Sequence, residues 1–81
     1  MKTINSLNEF RNELLKIAAT IEEEYTCIRI EIEDDGYIRF YAYINGIGYI
    51  EGKTIDNCLE NMRQAVFNHS LARIKIDLPI N

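Results

Sequence analysis

Few residues of this chain have side chains suited to catalysis or metal binding, and their spacing matches no known centre. His69 is the one histidine, and it falls on the apolar stripe of a predicted helix, where a structural role is expected. Cys27 and Cys58 have no second Cys or His at ligand spacing, so we expect two free thiols. The carboxylates within residues 31–35 could hold a divalent cation, but an acidic turn between strands is the simpler interpretation. The residues therefore predict no enzyme, no metal site and no cofactor.

Tyrosine and arginine side chains indicate a different chemistry, that of protein contact. Interfaces are enriched in both residue types, and here they alternate along two predicted strands so that they share one sheet face. The predicted contact residues are Tyr37, Arg39, Tyr41, Tyr43, Arg29 and Ile50. A second, acidic set is predicted to complement a basic partner: Glu31, Glu33, Asp34, Asp35, Glu22, Glu23 and Glu24.

Composition limits the classes of protein and of partner. The 81 residues, 47% of them apolar and 27% charged, predict a single domain over residues 1–81. No apolar run is long enough for a membrane span or a signal peptide, so we expect a cytoplasmic protein. A formal net charge of −4 with scattered cations argues against direct nucleic-acid binding. It favours a protein partner that is basic or itself binds nucleic acid.

The first half of the chain predicts a helix followed by a hairpin. Ser6 and Glu9 form a capping box that opens a helix ending near Glu24. Residues 27–33 and 37–44 alternate in hydrophobicity and predict two half-buried strands. A three-residue loop with Gly36 in the left-handed region would pair residue 32 with 38 and 30 with 40. In this register the apolar side chains of both strands share one face of the sheet.

The second half predicts another hairpin and another helix. Asn45-Gly46 favours a two-residue type I′ turn, which would pair Tyr41 with Ile50 in a short third strand. Thr54 would cap a second helix. Residues 72–78 alternate again and predict a fourth strand, with extension of the helix as the alternative.

The predicted fold class is therefore α+β, in the order α-β-β-β-α-(β). We expect a three- to four-stranded antiparallel-type sheet with two helices on one face.

Two stretches of the chain resemble the HicB-like family. One is the acidic-Gly-Tyr turn at residues 34–37, and the other runs through Gly52-Lys53-Thr54 and Leu59-Glu60-Asn61 into the second predicted helix. The resemblance covers roughly residues 27–78. It implies a partial RNase H-like fold and an antitoxin-type role, in which the protein masks a small RNA-cleaving toxin.

These observations predict a non-enzymatic, acidic inhibitor that binds and masks the working surface of a protein partner. Two alternatives stay open. The element order, size and acidity also look like those of phage-encoded anti-CRISPR proteins, which would block the nucleic-acid site of a CRISPR effector. The tyrosine face could otherwise be the interface of a structural homodimer without an inhibitory role.

Overall fold

The computed structural model describes residues 6–77, with side chains for residues 6–72. Its elements are α1 (Leu7–Ala19), β1 (Thr26–Ile32), β2 (Ile38–Ile44), β3 (Gly48–Gly52) and α2 (Ile55–Asp77). The three strands form one antiparallel sheet in the order β1-β2-β3, and both helices contribute to a core on one side of it. This confirms the α+β prediction. Neither helix has, within the described residues, an apolar stretch that would cross a bilayer.

Helix α1 begins where the capping pattern predicts. Ser6 is the N-cap, and its Oγ accepts a hydrogen bond from the Glu9 backbone N–H at 3.4 Å, which satisfies one of the free amides of the first turn. Phe10, Leu14 and Ile17 follow at helical spacing and are buried. The stripe thus fixes which side of α1 faces the sheet.

The end of α1 was predicted near Glu24, and that prediction is wrong. The helix ends at Ala19, and the chain reverses through Glu22, which has a φ of 59°. Glu23 N–H donates to Ala18 O at 3.0 Å and Glu22 N–H to Ala19 O at 3.1 Å, which is the bond pattern of a Schellman motif. That motif places a left-handed residue just after the helix, a position usually taken by glycine, and the absence of glycine here concealed it.

We expect Glu22→Gly to raise the free energy of unfolding by about 1 kcal/mol, because glycine adopts this φ without the steric cost that a Cβ brings. Urea unfolding of the variant and the wild type measures the difference. Glu24→Gly is the matched control, since Glu24 is exposed and has an ordinary negative φ. Equal effects of the two changes would contradict the prediction.

The β1–β2 hairpin has the predicted register. Ile32 pairs with Ile38 and Ile30 with Phe40, and Gly36 has a φ of 86° in the turn. Glu33 N–H donates to Tyr37 O at 2.8 Å, which closes the three-residue loop. The alternating faces therefore selected the correct loop length, as expected where one sheet face is buried.

The β2–β3 hairpin differs from its prediction by one residue. Ile44 pairs with Gly48 and Ala42 with Ile50, so the loop contains residues 45–47. Ile47 N–H donates to Ile44 O at 2.9 Å, and only the second central residue, Gly46, has a positive φ, which makes this a type II turn. The type I′ register would have placed Ile50 on the solvent side, whereas the observed register returns it to the helix side.

The predicted fourth strand at residues 72–78 is not present over the described part of that segment. Residues 72–77 continue α2, which was the alternative, and Leu78 lies outside the described residues. The stretch from Ser70 to Asp77 contains no glycine or proline. Extension of an existing helix needs no new nucleation, so the alternating pattern alone did not stop it.

The core lies between the sheet and the two helices. Its largest fully buried side chains come from α1, β2 and α2: Phe10, Leu14, Ile44, Leu59, Met62 and Cys58. Three isoleucines that the pattern directs to the helix side stay largely exposed, with 42% of Ile30, 76% of Ile32 and 47% of Ile38 accessible. The β1–β2 end of the sheet therefore projects beyond the cover of the helices.

Candidate functional site

The sheet side opposite the helices, here called the outer face, is built by alternate residues of all three strands. The registers align Glu31 with Arg39, Arg29 with Tyr41, Cys27 with Tyr43, Tyr43 with Tyr49, and Tyr41 with Glu51. Because side chains alternate across a strand, the outer face comprises Cys27, Arg29, Glu31, Arg39, Tyr41, Tyr43, Tyr49 and Glu51.

Arg29 is the centre of the outer face. Its guanidinium carbon lies 5.5 Å from the ring centroid of Tyr41 and 5.5 Å from that of Tyr49, within the range of cation–π attraction. Its Nη2 also lies 2.7 Å from Glu31 Oε1, although the Arg29 side chain stays 56% exposed. One cation thus holds two aromatic rings and a carboxylate in fixed relative positions while it remains open to a ligand.

A row of tyrosines extends the outer face to Tyr25, in the segment between α1 and β1. The Tyr43 and Tyr49 ring centroids are 4.9 Å apart, and those of Tyr25 and Tyr43 are 5.8 Å apart with nearly perpendicular rings. Such tilted and edge-to-face contacts are favourable aromatic geometries. Tyr25 and Tyr49 are 64% and 52% exposed. The row therefore presents aromatic surface that is already ordered.

The structure brings together most, but not all, of the predicted contact residues. Arg29, Tyr41 and Tyr43 lie together on the outer face. Ile50 does not: it pairs with Ala42 on the helix side and packs against the core. Tyr49 occupies the outer face instead. The predicted register, which differs by one residue, would have turned Tyr49 toward the helices. For the first hairpin, the loop length was chosen so that apolar side chains share one sheet face. The same rule applied to this hairpin would have placed Tyr49 on the outer face.

Tyr25 was also missed by the sequence analysis. It lies one residue before β1, between the predicted helix end near Glu24 and the predicted strand at residues 27–33. Its backbone O accepts from Asn45 N–H at 3.1 Å, so it continues the β1–β2 pairing by one position. The predicted strand began at residue 27, so it left Tyr25 out of the sheet.

The remaining predicted residues of the hairpin lie at the β1–β2 turn. Asp35 Oδ1 accepts from Tyr37 N–H at 3.0 Å, and Arg39 Nη2 lies 3.8 Å from Asp35 Oδ2. Tyr37 is 67% exposed, and Glu33 forms the backbone bond that closes the loop. Asp34 is exposed in the same turn. Within this turn, Glu33, Asp34 and Asp35 form an acidic tip next to the outer face.

The three glutamates after α1 differ in exposure. Glu23 is half-buried, and its Oε2 accepts from Asn45 Nδ2 at 3.3 Å, which ties the end of α1 to the β2–β3 turn. Glu22 and Glu24 are exposed on either side of it. Glu23 therefore has a structural contact, while the exposed Glu22 and Glu24 present their carboxylates to solvent.

The two central tyrosines stay protonated at neutral pH. Partial desolvation, and then the nearby carboxylates of Glu31, Glu33 and Glu51, raise the pKa of Tyr41 above its ordinary value. Interaction with Cys27 and partial desolvation raise the pKa of Tyr49. Both phenols can therefore donate hydrogen bonds to acceptors on a partner.

The cysteines are free and differ in environment. Cys27 is half-exposed on the outer face, whereas Cys58 is fully buried in α2 and its Sγ donates to Ile50 O at 3.4 Å. Burial raises the pKa of the Cys58 thiol from 9.0 to about 11. Cys58 is therefore a core residue that reacts poorly, and Cys27 is the accessible thiol.

The raised pKa of Cys58 predicts a loss of stability at alkaline pH. Between about pH 9 and about pH 11 the unfolded thiol loses its proton while the folded thiol keeps it, so the free energy of unfolding falls as pH rises. The fall approaches about 2–3 kcal/mol by the upper limit. Urea unfolding across this range measures it. Cys58→Ala should show a flatter dependence, and an equal slope in both proteins would contradict the prediction.

The described residues contain no cluster of side chains suited to a metal centre. No group of three or more His, Cys, Asp or Glu within them is arranged to hold a metal ion, and His69 is half-buried in α2. A polar hollow of about 410 Å³ lies between β3 and the start of α2. Its amides serve the backbone: Asn61 Nδ2 donates to Glu51 O at 2.9 Å, and Lys53 N–H donates to Asn57 Oδ1 at 3.0 Å.

The fold and the outer face together define a small α+β protein with an ordered aromatic and arginine surface on an uncovered sheet. Comparison with family models, with curated proteins and with solved structures finds no match to this chain.

Proposed function

We propose that the protein is a non-catalytic inhibitor that binds a partner protein through its outer face and covers the partner's working surface. The observation that carries the proposal is the position of Arg29 over the rings of Tyr41 and Tyr49. Arg and Tyr are the residue types that contribute most binding energy at protein interfaces, and they do so when they cluster near the centre of the contact.

Order in the free protein favours binding by this surface. Each tyrosine of the row already contacts a neighbour on the outer face, so little side-chain freedom remains to be lost when a partner docks. Tyrosine rings also provide a large contact area for only two rotatable bonds. The exposed fractions of Tyr25 and Tyr49 leave that area available.

The charges around the outer face favour a basic partner. On the face itself Glu31 and Glu51 are balanced by Arg29 and Arg39. The negative excess comes from the acidic tip at residues 33–35 that adjoins it, within a chain of formal net charge −4. Such a surface complements a positively charged nucleic-acid groove. We therefore propose a cytoplasmic partner that binds or cleaves nucleic acid. An RNA-cleaving toxin would fit the HicB-like resemblance, and a CRISPR effector would fit the anti-CRISPR alternative.

The test is affinity capture of the tagged protein from host lysate, with identification of bound proteins by mass spectrometry. The wild type should retain a basic, nucleic-acid-binding protein in stoichiometric amount. The double variant Tyr41→Ala/Tyr49→Ala should lose it, because both rings that flank Arg29 are removed. Phe67→Ala is the matched control: it removes an exposed aromatic ring from α2, on the other side of the molecule.

Purified partner and protein then allow the inhibitor role to be measured directly. Stoichiometric addition should suppress the partner's nucleic-acid binding or cleavage, and rising salt should slow association, as expected for charge-assisted docking. Retention of the partner by the double variant would contradict the proposed surface. Capture of the protein's own copies alone, lost in the double variant, would instead support the homodimer alternative.

A further inference from the structure

Strand β1 leaves one of its edges without a neighbouring strand. It is the first strand of the sheet order β1-β2-β3, and within residues 6–77 nothing pairs with its other side. Its sequence, Thr26–Ile32, contains no proline, glycine or lysine, the residues that commonly protect an edge from pairing with another chain. A seven-residue edge of this kind is a template for a further strand.

Hydrogen bonds at the two ends of the β1–β2 pairing show which residues face this edge. Asn45 N–H donates to Tyr25 O, and Glu33 N–H donates to Tyr37 O, so the odd-numbered residues of β1 bond to β2. In an antiparallel pair, bonded and non-bonded positions alternate. The backbone N–H and C=O groups of Ile28, Ile30 and Ile32 therefore point toward the open edge.

The side chains along this edge are complementary to themselves. Arg29 and Glu31 lie on either side of Ile30, and on the helix side Ile28 and Ile32 also flank it. If two copies pair antiparallel with Ile30 opposite Ile30, each Arg29 faces the Glu31 of the other copy, and each Ile28 faces an Ile32. Opposite charges directly across a strand pair are stabilising, and this register places them at the closer, non-hydrogen-bonded positions.

We propose that a second copy of this chain pairs with β1 in this register, joining two three-stranded sheets into one of six strands. The pairing also brings together apolar surface that the helices leave uncovered, since Ile32 is 76% and Ile30 42% exposed. A single strand pair is a small interface, so we expect a dimer that depends on concentration. The outer face stays open on both copies, so this inference does not rest on the proposed function.

The test uses sedimentation of the purified full chain over a range of concentrations. The wild type should shift from the monomer mass of 9.5 kDa toward twice that value. Arg29→Glu and Glu31→Arg should each weaken dimerisation by about tenfold or more, because both cross-strand pairs become repulsive. Mixing the two variants should restore association, since the register then pairs acidic residues of one with basic residues of the other.

Glu51→Arg is the control, because it makes the same charge change as Glu31→Arg on the outer face but on β3. It should dimerise like the wild type, and circular dichroism verifies that each variant is folded. A wild type that remains monomeric at every concentration would overturn the proposal. So would a Glu31→Arg protein that dimerises normally, which would place the interface elsewhere, or variants that fail to associate when mixed.

Discussion

Replacement of Gly52 by alanine is expected to lower the free energy of unfolding by about 3 kcal/mol or more. Gly52 is buried where β3 meets the first turn of α2. A Cβ at this position would overlap the backbone N of Cys58, and would lie 2.5 Å from Cys58 Cα and 2.9 Å from the carbonyl carbon of Asn57. These are backbone atoms, so only a shift of the helix away from the strand can relieve the overlap.

Urea unfolding followed by circular dichroism measures this effect. Gly36→Ala is the matched control, because Gly36 has a positive φ of 86° but no atom within 4 Å of an added Cβ. That variant should lose only the backbone term, about 1 kcal/mol. If Gly52→Ala were no more destabilising than Gly36→Ala, that result would contradict the close approach of β3 and α2.

Phe10→Ala is expected to cost about 3–5 kcal/mol, the range for removal of a fully buried phenylalanine. Phe10 is 0% exposed, and its ring meets that of Phe40 edge to face at a centroid distance of 6.3 Å. The loss is comparable to the whole stability typical of a small domain. A large fraction of the variant should therefore be unfolded in the absence of denaturant.

Phe67→Ala provides the comparison, because Phe67 is 57% exposed on α2. We expect that change to stay within about 0.5 kcal/mol, as for most surface substitutions. Thermal unfolding of Phe10→Ala and Phe67→Ala measures the difference between the two stability losses. A small effect of Phe10→Ala would mean that α1 is not part of the core.

The parts of the fold that the sequence predicted correctly depend on local, mutually consistent signals. Ser6 and Glu9 placed the start of α1, and the alternation on either side of Gly36 fixed both the loop length and the β1–β2 register. In each case the turn or cap chemistry and the hydrophobic pattern give the same answer, which is the condition for a dependable inference.

The wrong predictions arose where a local turn signal conflicted with the hydrophobic pattern, or where the local sequence gave no sign of the conformation that the chain adopts. The Asn45-Gly46 pair favoured a two-residue turn, but burial of Ile50 beneath α2 required the longer loop. Glu22 in a left-handed conformation gave no sign in the sequence that α1 ends early. The candidate site was accordingly predicted around Arg29 and Tyr41 but without Tyr49, whose position follows from that loop.

The packing of α1 affects how the chain can fold while it is being synthesised. Phe10 meets Phe40 of β2, and Ile17 of α1 and Val66 of α2 line one hollow between the two helices. Since domains form as the chain emerges from the N-terminal side, the apolar stripe of α1 is made first but has no complete partner until α2 has left the ribosome. The strand meander can form locally in the meantime. On the nascent chain, α1 is therefore the segment that a chaperone would encounter exposed.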